Sequence, residues 1–332
     1  MAPTMDPPVA AGPQSPGTVV KRTITEEAES YSSSVSGIDI ESVRAGTGNG
    51  PTHVLTATDD RFTFTRCRIG FPMLSSATLD EGMTIVAYVR TAPPGSRWCE
   101  IDLEPGQVLL YGPEALHTAR NQPGLEFLFA VTALERIHEH AEHLGLRIKP
   151  PAPGRVRLLA DPTDHDLVRQ TFQRFADAAE NDAHGVAAVS DDMHRVMTHA
   201  MSEDAEIANV IGAGSRIDSR HVVLSCIDYA ESIDRIPSIS ELCLATHVSE
   251  RRLRTAFTDE FDLPPSRFFR VWALEEAHRR LGRSSAQPRT VTRIASGLGF
   301  EHLGRFSGQY REVYQESPSA TLQRSRCVGG SG

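Results

Sequence analysis

The chain of 332 residues lacks the short motifs that announce common catalytic chemistry. It contains no G-x-S-x-G motif, no glycine-rich phosphate loop and no pair of carboxylates at a spacing that suits acid–base catalysis. We therefore expect a protein that is not an enzyme and that needs no cofactor.

Features of secreted and membrane proteins are also missing. No stretch approaches 18 consecutive apolar residues, and the first 17 residues lack a basic start followed by an apolar run. The five cysteines are scattered and form no C-x-x-C pair, which suits a reducing compartment. These absences predict a cytoplasmic protein without a membrane partner.

Charge is divided unevenly along the chain. The formal net charge is -9, yet the part from Arg216 onward has 17 arginines, no lysine and 14 acidic residues, a net charge of +3. The part before it carries -12, so only the C-terminal third could favour phosphates. A length of 332 residues makes two domains the default expectation.

Composition predicts the following organisation. Residues 1–34 contain five prolines and then a serine-rich run, which indicates a disordered tail. Short apolar or alternating runs recur over 35–132 between Gly, Pro, Asn and Asp, which indicates an antiparallel β-sandwich or barrel. Residues 133–210 favour helices that cover the sheet or form a dimer surface, with a proline-rich connector at 149–154. We place the domain boundary at residue 215.

The strongest pattern is a repeat in the C-terminal third. Leu242 and Cys243 recur 52 positions later, and Leu253, Phe257, Phe261 and Pro265 recur 53 positions later; their counterparts are Ile294, Ala295, Phe306, Tyr310, Tyr314 and Pro318. Spacings of four place Leu253, Phe257 and Phe261 on one buried helical stripe and leave the opposite edge free. The same holds for Phe306, Tyr310 and Tyr314. Two helix-turn-helix units are predicted, because two aligned copies are hard to explain as a chance helical hairpin.

Start signals and spacing indicate how the units are arranged. Ser238 or Ser240 is expected to cap the first helix of the first unit, and Ser249 the second. Residues 265–281 are predicted to form one helix, about 25 Å long, with Glu275 and Glu276 paired to arginines on its outer side. Such a rod would hold two reading helices near the 34 Å repeat of B-DNA, so that one chain reads two successive major grooves.

The free edge of the first unit carries Arg251, Arg254 and Thr255. Arginine can donate two hydrogen bonds to guanine O6 and N7, so these positions suit base contacts, although solvated arginines are the simpler alternative. Arg252 lies beside that edge and is expected to contact phosphate.

The C-terminal third resembles the AraC/XylS family of transcriptional regulators over residues 220–323. The resemblance rests on Ala295, Gly299-Phe300, Arg305-Phe306-Ser307, Tyr310-Arg311, Ser317-Pro318 and Thr321-Leu322, and the run 302–307 is similar to the XylS-like branch. It implies a cupin-like N-terminal regulatory domain over 35–215 and a DNA-binding domain over 216–327. It also implies base contacts at Arg251, Arg254, Thr255, Leu303, Gly304, Arg305 and Gly308. We add phosphate contacts at Arg252, His302 and Arg311.

The chain departs from the family pattern at four positions. The glycine usual after each second helix is replaced by Asp262 and Gln315, and the glycine usual in the first turn is His247. An arginine usual in the connecting helix is Ala273. Gln tolerates the left-handed backbone poorly, which bears on the end of the last reading helix.

Candidate sites in the first domain are less specific. Trp98, Tyr111 and His117 could line an effector cavity or simply fill the sheet core. His138, His140 and His143 lie close in sequence, but their helical spacing points them to different sides, so we predict no metal site.

The fold class expected is therefore α+β, a β-sandwich or cupin-like barrel with trailing helices followed by an all-α domain. The expected function is an effector-responsive, sequence-specific activator of a catabolic operon in the bacterial cytoplasm. Its partners would be double-stranded DNA, a small-molecule effector, a second copy of the chain in a homodimer and, by resemblance, RNA polymerase. A ligand-independent repressor or architectural DNA binder, and a cupin-type enzyme fused to a DNA-binding module, remain as alternatives.

Overall fold

The computed structural model describes residues 18–35, 37–44, 50–99, 101–114, 116–181, 183–212, 217–261, 263–283 and 290–328. Within these ranges a β-rich N-terminal domain is followed by an all-helical C-terminal domain, which confirms the α+β fold class. None of the helices in the described ranges is long and apolar enough to span a bilayer.

Two antiparallel sheets build the N-terminal domain as an open sandwich. The strands are β1 (Val19–Thr25), β2 (Asp39–Arg44), β3 (Thr52–Thr58), β4 (Phe62–Arg68), β5 (Met73–Thr78), β6 (Met83–Thr91), β7 (Arg97–Trp98), β8 (Ile101–Asp102), β9 (Val108–Tyr111), β10 (Leu116–Asn121), β11 (Glu126–Ala133), β12 (Arg155–Leu159) and β13 (Ile207–Gly212). One sheet has the order β1-β3-β4-β11-β6-β9-β12-β13 and the other β2-β5-β10-β7-β8. The two sheets do not close into a barrel.

Helices cover the larger sheet and form the whole C-terminal domain. The N-terminal domain contains α1 (Ala28–Ser32), α2 (Leu134–Leu144), α3 (Pro162–Asn181) and α4 (Ala183–Ala200). The C-terminal domain contains α5 (Ile217–Ile233), α6 (Ile239–Thr246), α7 (Glu250–Phe261), α8 (Pro265–Arg283), α9 (Thr290–Gly297), α10 (Leu303–Tyr314) and α11 (Pro318–Val328).

Strand alternation explains why the larger sheet is apolar on both faces. Phe62 and Phe64 of β4 pack against Phe175 of α3, with ring centroids 5.3 and 4.8 Å apart. Phe127 and Phe129 of β11 point the other way, into the core between the two sheets. A sheet buried on both sides reads as a nearly continuous apolar run, as β11 does.

The predicted disordered tail was wrong from residue 18 onward. Strand β1 pairs with β3 along its whole length, with Val20 opposite Ala57. The Arg22 guanidinium also donates to the carbonyl oxygens of Ala179 and Glu180, at 2.9 and 2.7 Å. Most β1 side chains are exposed, so backbone pairing at the sheet edge holds this strand, and composition carries no sign of it.

Helices α2, α3 and α4 lie in the range 133–210 that was predicted to be helical, but strand β12 also lies there and strand β13 begins there. Strand β12 pairs with β9 on one side and β13 on the other, which extends the larger sheet. Val156 and Leu159 are its buried residues. Strand β12 is short and has only two buried side chains, so its own sequence is a weak signal for a strand. It forms by pairing with β9 and β13, which lie far from it in sequence.

Candidate nucleic-acid interface

The C-terminal domain repeats one arrangement of helices. The first helices, α6 and α9, have eight residues each, and the second helices, α7 and α10, have twelve each. A proline begins the helix that follows each unit, Pro265 in α8 and Pro318 in α11. Proline at the first helical position loses no hydrogen bond and stops the previous helix from continuing. The two predicted helix-turn-helix units are therefore present.

The first unit is started by hydrogen bonds from its caps. The Ser238 hydroxyl accepts the Glu241 N–H at 3.2 Å, and the Glu241 carboxylate accepts the Ser238 N–H at 2.8 Å. Arg235 also pairs with Glu241, and these donors lower the pKa of that carboxyl to about 2. At the start of α7 the Ser249 hydroxyl accepts the Arg252 N–H at 3.3 Å. The predicted Ser238 and Ser249 caps are both formed.

A buried stripe fixes α7 to the connecting helix. Leu253, Phe257 and Phe261 are all buried, and the Phe257 ring lies 5.3 Å from Phe268 and 5.6 Å from Phe269 of α8. Each such side chain contributes about 1.5–3 kcal/mol by leaving water. The opposite edge of α7 is consequently held outward.

In the second unit, a chain of hydrogen-bonded polar side chains inside the core replaces part of the apolar stripe. The Tyr310 hydroxyl lies 2.6 Å from His278 Nδ1 and 2.8 Å from Thr321 Oγ1, and Thr321 donates to Glu316 at 2.5 Å. Burial lowers the pKa of His278 to about 4, so its ring is neutral at pH 7. Because the Thr321 hydroxyl donates its proton to Glu316, it accepts the hydrogen bond from the Tyr310 hydroxyl. The Tyr310 oxygen in turn accepts a hydrogen bond from His278 Nδ1–H. This chain joins α8, α10 and α11.

The residues that replace family glycines adopt the backbone that glycine would. His247 has φ 55° after α6, and Gln315 has φ 57° after α10, where its N–H donates to the Arg311 carbonyl at 2.8 Å. Helix α10 therefore ends where the family pattern requires. Ala273 is fully buried in α8, and Asp262 lies outside the described residues.

The structure places the first set of predicted base readers on the open side of α7. Arg251, Arg254 and Thr255 are exposed. Arg254 Nη2 lies 2.6 Å from Glu250 Oε1, whereas Arg251 has no ion pair within the described part of the chain. Arg252 is half-buried.

The second set lies on the open side of α10. Leu303, Gly304, Arg305 and Gly308 are exposed, and Leu303 is 38% exposed although apolar. A Cβ added at Gly304 or Gly308 would meet no atom within 4 Å. His302, at the N-cap, and Arg311 are also exposed. This edge of α10 is smooth, weakly charged and open.

Trp98, Tyr111 and His117 do come together inside the sandwich. The Tyr111 ring lies 5.6 Å from Trp98 and 4.2 Å from the His117 ring, and all three line a cavity of about 30 Å³. The Tyr111 hydroxyl has no hydrogen-bond partner within the described chain. Since 30 Å³ is the volume of about one water molecule, this conformation leaves no room for a larger ligand.

The three neighbouring histidines do not converge. His138 and His143 each lie within hydrogen-bond distance of a carbonyl oxygen of their own helix, at 2.9 and 2.6 Å. His140 instead stacks on His194, with centroids 4.4 Å apart. In the described ranges, no three His, Cys, Asp or Glu residues are grouped to hold a metal ion.

Contacts between the domains involve residues that sequence reasoning missed. Glu275 of α8 accepts the N–H groups of Ala28 and Arg44 at 3.1 and 2.7 Å, so it faces the N-terminal domain rather than solvent. Burial raises the pKa of its carboxyl to about 7. Glu276 receives both Arg279 and Arg280, which confirms the predicted pair with Arg280. No local pattern distinguishes Glu275 from Glu276, because its partners lie more than 230 residues away.

Two further contacts complete that interface. The Arg44 guanidinium lies over the rings of Phe71, at 4.1 Å, and Tyr314, at 5.1 Å. Arg120 of β10 donates to the Phe261 carbonyl at the end of α7, at 2.7 Å. Both helix-turn-helix units therefore touch the smaller sheet at the C-terminal ends of their second helices.

Comparison with known proteins finds similarity in the same C-terminal region. A helix-turn-helix domain family matches residues 242–324. The chain is 30% identical over 103 residues to a probable thc operon regulatory protein of Rhodococcus erythropolis, covering 31% of each chain. It is 35% identical over 96 residues to XylDLEGF operon transcriptional activator 1 of Pseudomonas putida, covering 29% of each chain. The match thus spans about a third of the length of these curated relatives.

Among solved structures, a probable AraC family transcriptional regulator from Rhodopseudomonas palustris is 36% identical. The alignment covers 32% of this chain and 97% of that one, with a TM-score of 0.28. The matched residues include both units and the helix that joins them. The C-terminal domain therefore matches a helix-turn-helix domain family and is similar to regulators of operon transcription.

Proposed function

We propose that the protein recognises a bipartite DNA site through α7 and α10 and activates a catabolic operon in response to a small molecule. The observation that carries the proposal is the pair of equal helix-turn-helix units, each with its apolar stripe buried and its other edge exposed. An α-helix fits the major groove, and α8 sets the spacing between the two reading helices.

Direct base contacts are proposed for the outward residues of α7. Arg251 and Arg254 would each donate to guanine O6 and N7, and Thr255 would contact a neighbouring base. Arg254 must first leave Glu250, at little cost, because an exposed ion pair contributes only about 0–1 kcal/mol.

Helix α10 would read its groove more by shape than by charge. Leu303 offers an apolar surface for a thymine methyl, Arg305 offers a guanine contact, and Gly304 and Gly308 allow the backbone to approach closely. Arg252, His302 and Arg311 would contact phosphates and set the register on the duplex.

Activation of an operon is proposed from the names of the relatives, which include an operon regulator and an operon activator. The catabolic class of the operon and effector control are proposed from the family resemblance of the C-terminal third. We further propose a cytoplasmic location, contact with RNA polymerase, and a homodimer formed through the N-terminal domain. The residues around Tyr111 are the proposed effector site within the sandwich. An effector there would have to widen the cavity of about 30 Å³, and the unpaired Tyr111 hydroxyl would supply one polar contact.

Affinity selection of sheared genomic DNA by the full chain, followed by binding titrations on the enriched fragments, tests the proposal. We expect a Kd at least about a thousandfold lower for the enriched site than for a scrambled duplex at the same salt concentration. Equal affinity for both duplexes would contradict sequence-specific function. A transcription assay with and without the enriched site then separates an activator from a repressor.

A further inference from the structure

A cleft of about 320 Å³ lies between the two domains. Strands β2 and β5 of the smaller sheet form one wall, and α5 and α8 of the DNA-binding domain form the other. Its volume is within the range of small-molecule sites. It is about ten times larger than the cavity around Tyr111.

The charged lining of this cleft is almost entirely acidic. Five glutamates line it, at positions 41, 231, 260, 275 and 276. Arg279 is the one cationic residue among the described lining residues, and it is already paired with Glu276. An anionic ligand would therefore be repelled at the entrance, whereas a cation would be attracted.

Like charges face each other across the cleft from the two domains. Glu41 belongs to β2, and Glu231 and Asp228 belong to α5. Neither Glu41 nor Glu231 has an ion pair within the part of the chain that the structure describes. Desolvation and the negative charges of Asp228 and Asp39 raise the pKa of Glu41. Desolvation and the charges of Glu41, Asp228 and Glu276 raise the pKa of Glu231, although the Arg279 cation acts in the opposite direction. A positive charge placed between them would relieve this repulsion.

Aromatic rings supply part of the apolar lining, beside aliphatic side chains such as Leu74 and Ile227. Phe261, Phe268 and Trp272 reach the cleft from α7 and α8. Aromatic faces attract organic cations and also bury apolar groups, so rings beside carboxylates suit an ammonium group on an apolar body. A hydrated inorganic cation would gain nothing from the rings.

We propose that the interdomain cleft binds a small organic cation, an amine with an apolar body. Its ammonium group lies between Glu41 and Glu231, and its body lies against Phe268 and Trp272. The ligand touches both domains, so it binds one interdomain arrangement more tightly than others and biases the DNA-binding domain toward it. This regulatory consequence rests on the proposed function, whereas the binding itself does not.

Trp272 provides a direct readout of binding. The chain has two tryptophans, so full-length W98F leaves Trp272 as the only one. We would titrate this protein at pH 7.5 and constant ionic strength with benzylamine, a cation, with benzyl alcohol, which is neutral, and with benzoate. The expected result is a saturable change in Trp272 emission with benzylamine, at a Kd about tenfold lower than for the other two probes.

Charge variants complete the test. E41Q/E231Q should weaken benzylamine binding about tenfold and leave benzyl alcohol unchanged. Because the two carboxylates repel each other, this double variant should be at least as stable as its parent, so loss of binding would not reflect unfolding. The matched control is E81Q, an exposed glutamate in the turn before β6. It should bind benzylamine as the parent does.

Three outcomes would overturn the proposal: equal Kd values for the three probes, no saturable change in emission, or an E41Q/E231Q variant that binds benzylamine as tightly as its W98F parent. Affinity for the enriched DNA fragment is measured on the wild-type chain with and without benzylamine, because Trp98 lines the proposed effector site. If the protein binds benzylamine but shows no DNA specificity, the proposed function is wrong and the proposed cation site in the cleft still stands. If benzylamine binds and DNA affinity does not change, the proposed coupling between the cleft and DNA binding is wrong.

Discussion

The backbone N–H of Arg44 donates a 2.7 Å hydrogen bond to Glu275 Oε2, which ties strand β2 to helix α8. The other carboxylate oxygen accepts the Ala28 N–H at 3.1 Å. Helix α8 also joins the two helix-turn-helix units. One side chain thus connects the N-terminal domain to the element that spaces the two reading helices.

Replacing Glu275 should change how stability depends on pH. Burial raises the pKa of this carboxyl from 4.5 to about 7, so the folded protein favours its protonated form. Its contribution to stability is full below about pH 4.5 and is lost as the pH rises through about 7. We expect the Tm of the wild type, relative to E275Q, to fall between pH 5 and pH 8. E81Q is the control, and parallel Tm curves for wild type and E275Q would refute this account.

Truncation of Arg251 and truncation of Arg252 should affect DNA affinity in different ways. Arg251→Ala should cost about 1–3 kcal/mol on the cognate site and relax the preference at one base pair. Arg252→Ala should weaken all sequences alike and reduce the slope of log K against log salt by about one. Titrations on cognate and scrambled duplexes at several salt concentrations measure both, with Arg147→Ala on the exposed N-terminal surface as control. Equal losses on both duplexes for Arg251→Ala would remove its assignment as a base reader.

Gly304 and Gly308 offer a test in which stability and affinity move in opposite directions. A methyl group at either position meets no atom within 4 Å, and alanine favours a helix over glycine by about 1 kcal/mol. G304A and G308A should therefore raise the Tm while weakening specific DNA binding, if these glycines allow α10 to approach the bases. Unchanged DNA affinity in both variants would show that the glycines play no part in contact.

The polar chain around Tyr310 should stabilise the second unit. Tyr310→Phe removes hydrogen bonds to His278 and Thr321 and leaves both groups buried without that partner. We expect a loss of about 1–3 kcal/mol in the free energy of unfolding, measured by denaturant titration. Tyr229→Phe, a half-exposed tyrosine of α5, should change stability little. An equally large loss of stability in Tyr229→Phe would indicate that the buried hydrogen bonds of Tyr310 make no specific contribution to stability.

The C-terminal domain was predictable because its signals are local and doubled. The four-residue spacing of Leu253, Phe257 and Phe261, repeated at Phe306, Tyr310 and Tyr314, indicates each second helix and its buried side. Strand β1 was missed because its order comes from pairing with β3 rather than from burying apolar side chains.

The contact of Glu275 with Arg44 and Ala28 was missed for a related reason. Its sequence neighbourhood is that of any exposed helical glutamate, and only the packing of two distant domains gives it different partners. The acidic cleft arises in the same way, from Glu41 and Glu231 on separate domains. Tertiary placement of this kind leaves no periodic trace in the sequence.

The most direct test of the bipartite reading is a base-resolution protection footprint of the full chain on its selected site. Two protected tracts are predicted on one face of the duplex, about 10 base pairs apart centre to centre. Arg251→Ala should lose protection in one tract and Arg305→Ala in the other. A single tract, or the same loss with both variants, would contradict the claim that α7 and α10 read separate major grooves.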